Sequence, residues 1–263
     1  MDDDQTRAFK ISVVMPAYNE EAVIEDTVTN LVGALDKADL VYELRVVDDN
    51  SKDSTWQKLA GLVAKYPSLQ PVKNSGPGGF GTAVRAGLAT FEGDAAIIVM
   101  ADGSDSPRDV VSYSRALAEG YDCAFGTRFS GATKISNYPP VKRIFNRMGN
   151  KLIAWLTGCR YDDFTNGFKG YRRKVLNSIQ PLVSADFNLT VELSIKAVLS
   201  GARFVVIPNE WRDREGGESK FRVMKLAPIY LLTIAYCLLQ NQPKADWTRL
   251  RSLLLRWIGK TAH

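Results

Sequence analysis

The chain almost lacks histidine: the only one is His263, the last of 263 residues. A Ser-His-Asp triad and a histidine-ligated metal are thereby excluded. Any catalytic cation must rest on oxygen ligands, which points to Mg²⁺ or Mn²⁺. Cysteine is scarce as well. Cys123, Cys159 and Cys237 are odd in number, far apart and without metal-ligand spacing, as expected in a reducing compartment. Long apolar runs are missing. The strongest, Leu226–Leu239, is about one-half to two-thirds of a bilayer-spanning helix and reads as a core helix before a lipid anchor. The start, MDDDQTRAFK, has no hydrophobic signal region, so a cytoplasmic protein is expected. Nor is there a large charge excess. Thirty-four Lys and Arg against 29 Asp and Glu leave a net charge of +5, which makes no argument for nucleic acid. The charge is unevenly spread. The N-terminal part is acidic, while Lys142–Arg147 and the C-terminal end are basic, which favours an anionic partner near the C-terminal half.

What the sequence does contain is an alternation of strands and helices. Ile11–Met15 is a β-branched run stopped at Pro16, and apolar residues from about Glu20 to Leu35 follow the helical period. Glu43–Val47 reads as a second strand, Ser54 to about Ala64 as a helix, Pro71–Lys73 as a short extended piece and Ala83–Phe91 as a helix. Ala95–Met100, Val110–Ala118 and Cys123–Gly126 continue as strand, helix and strand. Such βαβ units build a mostly parallel central sheet flanked by helices, an α/β fold that binds ligands beyond the C-terminal strand ends. Past about residue 128 the pattern changes. A loop over Phe129–Pro140 leads to a basic helix at about Val141–Leu156. Then follow a loop at Asp162–Lys169, a helix at Leu189–Leu199, a strand at Arg203–Ile207, a polar loop at Glu210–Lys220 and the helix of Leu226–Leu239.

Gly76-Pro-Gly-Gly-Phe-Gly81 matches a dinucleotide-binding GxGxxG by letter only. It does not follow the first strand, it contains Pro77, and no acidic residue ends a following strand at the required distance. It reads instead as a flexible turn, with Gly79 at its centre, that lets backbone approach a ligand. The run IIVMADGSDSP (Ile97–Pro107) places Asp102 and Asp105 at the mouth of a buried strand with only Gly and Ser around them. Small neighbours leave room for a cation between carboxylates; a solvated Asp-Gly turn is the alternative.

PAYNEE (Pro16–Glu21), VVDDNSKDST (Val46–Thr55), VMADGSDSP (Val99–Pro107), GTRF (Gly126–Phe129), DDFTNGFKGYRR (Asp162–Arg173) and DREGGESK (Asp213–Lys220) occur in this order. Together they resemble the family 2 glycosyltransferases of GT-A fold, most of all the dolichyl- and polyprenyl-phosphate sugar synthases, over about residues 10–240. The resemblance implies inverting transfer of a hexose from a nucleoside-diphosphate sugar, of GDP-mannose or UDP-glucose type, to a polyprenyl phosphate, with Mg²⁺ or Mn²⁺. It assigns the donor to Pro16, Ala17, Tyr18, Glu20, Asp48, Asp49, Gly79 and Asp102. Asp49 has a second reading as the cap of the helix that follows. Asp102 and Asp105 take the metal. The family shows Asp-x-Asp, Leu-Gln and a proline; aligned on Pro107, this chain has Ala101 and Gly103 at the two Asp positions and Asp105 at the Gln.

An acceptor phosphate is already ionised and needs cations more than a base. The family match puts Arg128, Arg147, Arg214, Ser219 and Lys220 there, with Arg suited to two-pronged phosphate contact. Asp162 and Asp163 are placed to touch the transferred sugar or to cap their loop. Arg143 reads equally as part of a solvated basic face. The organisation expected is a glycosyltransferase domain over 1–241, with a donor half at about 10–128 and an acceptor half at about 129–241. A basic amphipathic helix follows at 242–263. In its stretch Trp247–Lys260, Leu250, Leu253, Leu254, Trp257 and Ile258 form one face. That face fits an anionic membrane surface, or packing on the protein or on a second copy in a homo-oligomer. The protein is then expected to be peripheral on the inner face of the membrane. Two rivals stay open: a hydroxyl acceptor deprotonated by Asp163 or Asp186, and an inactive nucleotide-sugar-binding subunit.

Overall fold

The computed structural model describes residues 7–130, 135–136, 140–212 and 223–241. A seven-stranded sheet has the order β3-β2-β1-β4-β7-β5-β8. Its strands are β1 (Lys10–Ala17), β2 (Val41–Asp48), β3 (Leu69–Lys73), β4 (Ala95–Ile98), β5 (Cys123–Thr127), β7 (Lys169–Arg172) and β8 (Phe204–Pro208). The short β6 (Ile135–Ser136) and β9 (Trp211–Arg212) pair parallel to each other beside it. Helices α1 (Ile24–Lys37), α2 (Thr55–Leu62), α3 (Phe80–Thr90) and α4 (Pro107–Ala118) connect the first five strands. The second half adds α5 (Pro140–Thr157), α6 (Arg173–Ser178), α7 (Leu189–Leu199) and α8 (Val223–Gln240).

The central strands are largely apolar on both sides because both sheet faces are covered. Ile11, Val13 and Met15 of β1 join Leu44 and Val46 of β2 and the inner faces of α1 and α4 in one cluster. The alternate residues Val14, Ala96 and Ile98 join Val84 of α3, Phe125 of β5 and much of α7 in the other. Each strand thus feeds two cores at a period of two. The helix read from Leu226–Leu239 is a core element: Ile234, Tyr236 and Cys237 are buried, and Asn188 donates from its amide to the Thr233 hydroxyl at 3.0 Å. Among the described residues no helix is long and apolar enough to cross a membrane.

One strand departs from the sequence reading. Residues 169–172, at the end of the expected loop, form β7, which inserts antiparallel between β4 and β5. Four residues reading Lys-Gly-Tyr-Arg carry no strand signature of their own. Their backbone is recruited because β4 and β5 each present an edge that needs pairing. The sheet is therefore mixed, though mostly parallel as expected.

At the edge opposite the motif loops lies a buried polar cluster. Glu43 of β2 accepts hydrogen bonds from Ser12 Oγ (2.5 Å), the Glu92 amide (2.6 Å) and Arg45 Nε (3.2 Å). Burial alone pushes its carboxyl pKa up, but the Arg45 guanidinium and the other donors outweigh burial and hold it below its ordinary 4.5. A depressed folded-state pKa contributes stability above the unfolded value and loses it as pH falls through the folded one. Glu43→Gln is expected to cost about 2 kcal/mol at pH 7. It should also flatten the loss of stability below about pH 4.5, measured by thermal melts across pH.

Candidate active site

The order β3-β2-β1-β4 reverses direction at β1, and that reversal opens a crevice at the C-terminal strand ends. The register keeps those ends flush: Ala17 pairs with Asp48, and Asp48 with Lys73. The loops after β1 and β2 then interlock. The Glu20 amide donates to Thr55 Oγ1 (2.9 Å), the Ser54 amide to Glu21 (2.9 Å) and the Lys52 amide to Asn19 Oδ1 (2.8 Å). Asn19 and Asn50 sit at φ 54° and 62°. Asparagine tolerates this left-handed backbone better than other side chains, and both turns need it.

The result is a cleft of about 560 Å³. Its lining includes Pro16, Ala17, Tyr18, Glu20, Asp49 and Gly79, six of the eight residues expected to hold the donor. Asp48 and Asp102 are not among the lining residues. Asp48 is buried one position behind the cleft, with Oδ1 lacking a hydrogen-bond partner. Asn50, Lys52, Phe80, Met100 and Phe187 also line the cleft and were not read from the sequence. Phe187 is half exposed and stacks on Phe80 with ring centroids 4.3 Å apart, forming an aromatic wall of the cleft that Tyr18, also half exposed, helps to line. Phe80 and Phe187 are more than a hundred residues apart, so no local pattern announces the pair.

Asp49 lines the cleft and also braces it. It is no helix cap; Asp53 accepts from the Thr55 amide at 2.9 Å instead. Asp49 is a strut: Oδ1 accepts from Asn74 Nδ2 (2.6 Å) and Oδ2 from the Gly79 amide (2.7 Å), which pins the glycine turn to the end of β2. The turn needs glycine for packing as well as for approach. Gly79 lies at φ 143°, and a Cβ on Gly81 would come within 2.5 Å of the Ser184 carbonyl. That close approach brings Phe187 to the cleft and sets Asp186 against Gly79. Asp49→Ala is expected to cost about 1–2 kcal/mol of stability by freeing the turn. It should weaken nucleotide binding more than that, measured by calorimetry against nucleoside diphosphates.

Beyond the cleft, Asp102 and Asp105 follow β4. Asp105 Oδ2 accepts from the Met100 amide (2.9 Å), and Asp102 Oδ1 from the Ser104 amide (3.0 Å). Burial pushes the Asp105 carboxyl up to about 7; the Met100 amide opposes this and the Asp102 charge adds to it. A buried carboxylate beside the charge of the partly exposed Asp102 makes a place where a hard cation is favoured. Among the described residues no three acidic, His or Cys side chains form a complete cage. The donor set fits Mg²⁺ or Mn²⁺, which commonly take one or two carboxylates and complete their shell with substrate phosphate and water.

Arg128, after β5, is held by a buried counter-ion. Its Nε and backbone N–H donate to Asp163 Oδ2 (2.9 and 3.0 Å), and Nη2 donates to Oδ1 (2.7 Å). Asp163 is fully buried. It is therefore the partner of Arg128 and not a free base, which leaves Asp186 as the carboxylate for a hydroxyl acceptor. Burial and the Asp49 charge raise the Asp186 pKa. Asp162 accepts from Thr127 Oγ1 at 2.8 Å, a loop tie. The guanidinium carbons of Arg128 and Arg147 lie 5.7 and 5.6 Å from the centre of the Phe129 ring. Two of the cations expected at the acceptor phosphate thus share one aromatic ring. Arg214, Ser219 and Lys220 lie outside the described residues, as do 242–263.

Lys169 was missed although its motif was read. Its ammonium is buried beneath the Asp163 loop and donates to the Phe164 carbonyl (2.7 Å) and Ser194 Oγ (2.6 Å). Burial drives its pKa well below the ordinary lysine range, with the Asp163 charge opposing and the Arg128 charge adding.

Known proteins resemble this chain in sequence and in fold. A profile described as Glycosyl transferase family 2 matches residues 12–180. A dolichol-phosphate mannosyltransferase of Pyrococcus furiosus is 29% identical over 216 residues, 81% of this chain. The match spans only 59% of that relative's length. A polyprenol monophosphomannose synthase of Mycolicibacterium smegmatis is 28% identical over 214 residues, 79% of either chain. The glucosyl-3-phosphoglycerate synthase of Mycobacterium tuberculosis, solved with Mn²⁺, UDP and phosphoglyceric acid, superposes with a TM-score of 0.63 at 22% identity. That superposition covers 90% of this chain and 80% of the other and shows a common fold.

Proposed function

Because the chain belongs to glycosyl transferase family 2, we propose that it transfers a hexosyl group from a nucleoside-diphosphate sugar to a polyprenyl phosphate at a membrane surface. The observation that carries this reading is the convergence of three parts at one sheet edge. They are a nucleotide-sized cleft walled by Tyr18 and Phe187, the Asp102–Asp105 loop, and the Arg128–Arg147 pair on Phe129. The two relatives named above act on polyprenyl-type lipids by their names, and the structural neighbour was solved with Mn²⁺.

Chemically, an acceptor phosphate oxygen attacks the anomeric carbon as the bond from that carbon to the diphosphate breaks, giving inversion. The attacking oxygen is already ionised, so no side-chain base is required. Arg128 and Arg147, with Arg214 and Lys220 in the same proposal, hold it against the donor. Asp102 and Asp105 would hold Mg²⁺ or Mn²⁺, which when bound offsets the charge that develops on the departing diphosphate. Asp49 and the glycine turn orient the nucleoside.

A second reading keeps the donor and changes the acceptor to a hydroxyl, with Asp186 as base, because its raised pKa brings it nearer the working range of a general base. One assay separates the two. Radiolabelled GDP-mannose, UDP-glucose and UDP-N-acetylglucosamine are offered with polyprenyl phosphate or with neutral sugars. Label is expected in the lipid, with no ascending pH limb near neutrality beyond that of the phosphate itself. Transfer to a neutral sugar alone would replace this reading with the second. Failure even of metal-dependent donor hydrolysis would leave an inactive nucleotide-sugar-binding subunit.

A further inference from the structure

Helix α5 is amphipathic in the wrong sense for a solvated surface. Its side toward the protein is narrow: Asn150 and Ile153 are buried, and Asn146 and Asn150 hydrogen-bond to Thr165 at 2.6 and 3.3 Å. Its outer side carries Ile144, Phe145, Met148, Leu152, Trp155 and Leu156, with Trp155 77% exposed and Met148 60%. At 3.6 residues per turn these six fall within an arc of about 120°. Arg143, Arg147 and Lys151 run along one border of that arc, between it and the protein. The helix has no acidic residue. Soluble proteins rarely leave so continuous an apolar stripe on one helix, least of all one ending in an exposed tryptophan.

We propose that α5 is a membrane-docking face that lies in the headgroup region of an anionic lipid bilayer, with its apolar arc in the acyl boundary and its basic border among the phosphates. A Trp/Leu/Phe/Met face beside a row of cations is the chemistry such a surface recognises. A second copy of the chain fits less well: a two-fold contact through this face would set one copy's cation row near the other's, with no acid on α5 to neutralise it. The position has a consequence for the active site. Asn146 is bonded to Thr165, next to the Arg128–Asp163 pair, and Arg147 shares the Phe129 ring with Arg128. A bilayer seated on α5 would bring lipid phosphates level with those cations. The significance for transfer rests on the polyprenyl-phosphate reading; the docking itself does not.

Co-sedimentation with vesicles tests it, using the full chain, no donor and no polyprenyl phosphate. Wild-type protein is expected to bind phosphatidylglycerol/phosphatidylcholine vesicles far better than pure phosphatidylcholine ones. Met148→Glu with Trp155→Glu should lower that binding by about a hundredfold or more. Both positions are exposed, so the melting temperature should hold. Arg143→Gln with Lys151→Gln should lower binding by roughly twentyfold on anionic vesicles only. Absence of wild-type binding overturns the proposal. So does unchanged binding of the double glutamate variant, which moves the contact elsewhere, for example to 242–263. A dimer in sedimentation velocity that the glutamate variant dissociates, without vesicle binding, would assign the face to a second copy. Vesicle binding without sugar transfer would count against the proposed reaction and leave the docking face standing.

Discussion

Replacing Arg128 by alanine is expected to destabilise the fold by about 3–5 kcal/mol, because it strands Asp163 as an uncompensated buried charge. The expected fall in Tm is roughly 10 °C or more. The side chain of Asp163 has no exposure and that of Arg128 only 12%, so solvent cannot replace the lost partner. Asp163→Ala should be comparably damaging. The double variant Arg128→Met/Asp163→Leu should recover most of the stability, since an apolar pair of similar bulk removes both desolvation costs. It should not recover transfer to a lipid phosphate, because the cation is gone. Lysine at 128 separates the two roles further: it keeps the charge and loses the two-pronged geometry. An Arg128→Ala protein that melts like wild type would show that the pair seen here does not carry the loop, and that Arg128 serves the ligand alone.

The second large effect concerns the acidic loop after β4. Asp105→Asn and Asp102→Asn are each expected to lower metal-dependent turnover by about 10²–10³-fold, or about 3–4 kcal/mol, the scale of losing a preorganised charge-stabilising group. Stability should move the other way for Asp105. Its carboxyl is buried with a pKa raised to about 7, above the ordinary 3.8. The folded state then holds a proton that the unfolded state has released, so stability falls as pH rises between those values. With chelator present, Asp105→Asn should therefore melt higher than wild type at pH 7, while Mn²⁺ should stabilise wild type more than the variant. Equal activity and equal Mn²⁺ response in both Asn variants would remove the metal from this loop.

Much of the donor site was legible because it is built from strand ends. A β-branched run followed by a polar turn says where a strand stops, and in a parallel sheet the stops fall on one edge. Pro16, Ala17, Tyr18, Glu20 and Asp49, which the family resemblance assigned to the donor, lie at strand ends and turns that this logic brings to the cleft. Asp48 does not line it, since alternation along an extended chain turns one of two adjacent side chains inward. The acceptor side was less legible. Arg128 and Asp163 were both singled out, yet for different tasks, and nothing in GTRF or DDFTNG says that one neutralises the other. Phe187 gave no signal at all: it follows a loop without periodicity and becomes a cleft wall only because Gly81 lets residues 184–186 touch α3.

The sequence by itself determined the alternation of strands and helices, the edge at which the motif loops gather, and the restriction to oxygen ligands and cationic side chains that follows from a single terminal histidine. These are properties of local period and of composition, which every stretch of chain carries with it. Only the tertiary structure decided that residues 169–172 become a strand, that Asp49 braces a glycine turn, that Arg128 and Arg147 meet on Phe129, and which face of α5 is left uncovered. Each of these depends on groups distant in sequence competing for the same hydrogen bond, charge or buried surface, and that competition is resolved only when the chain is compact.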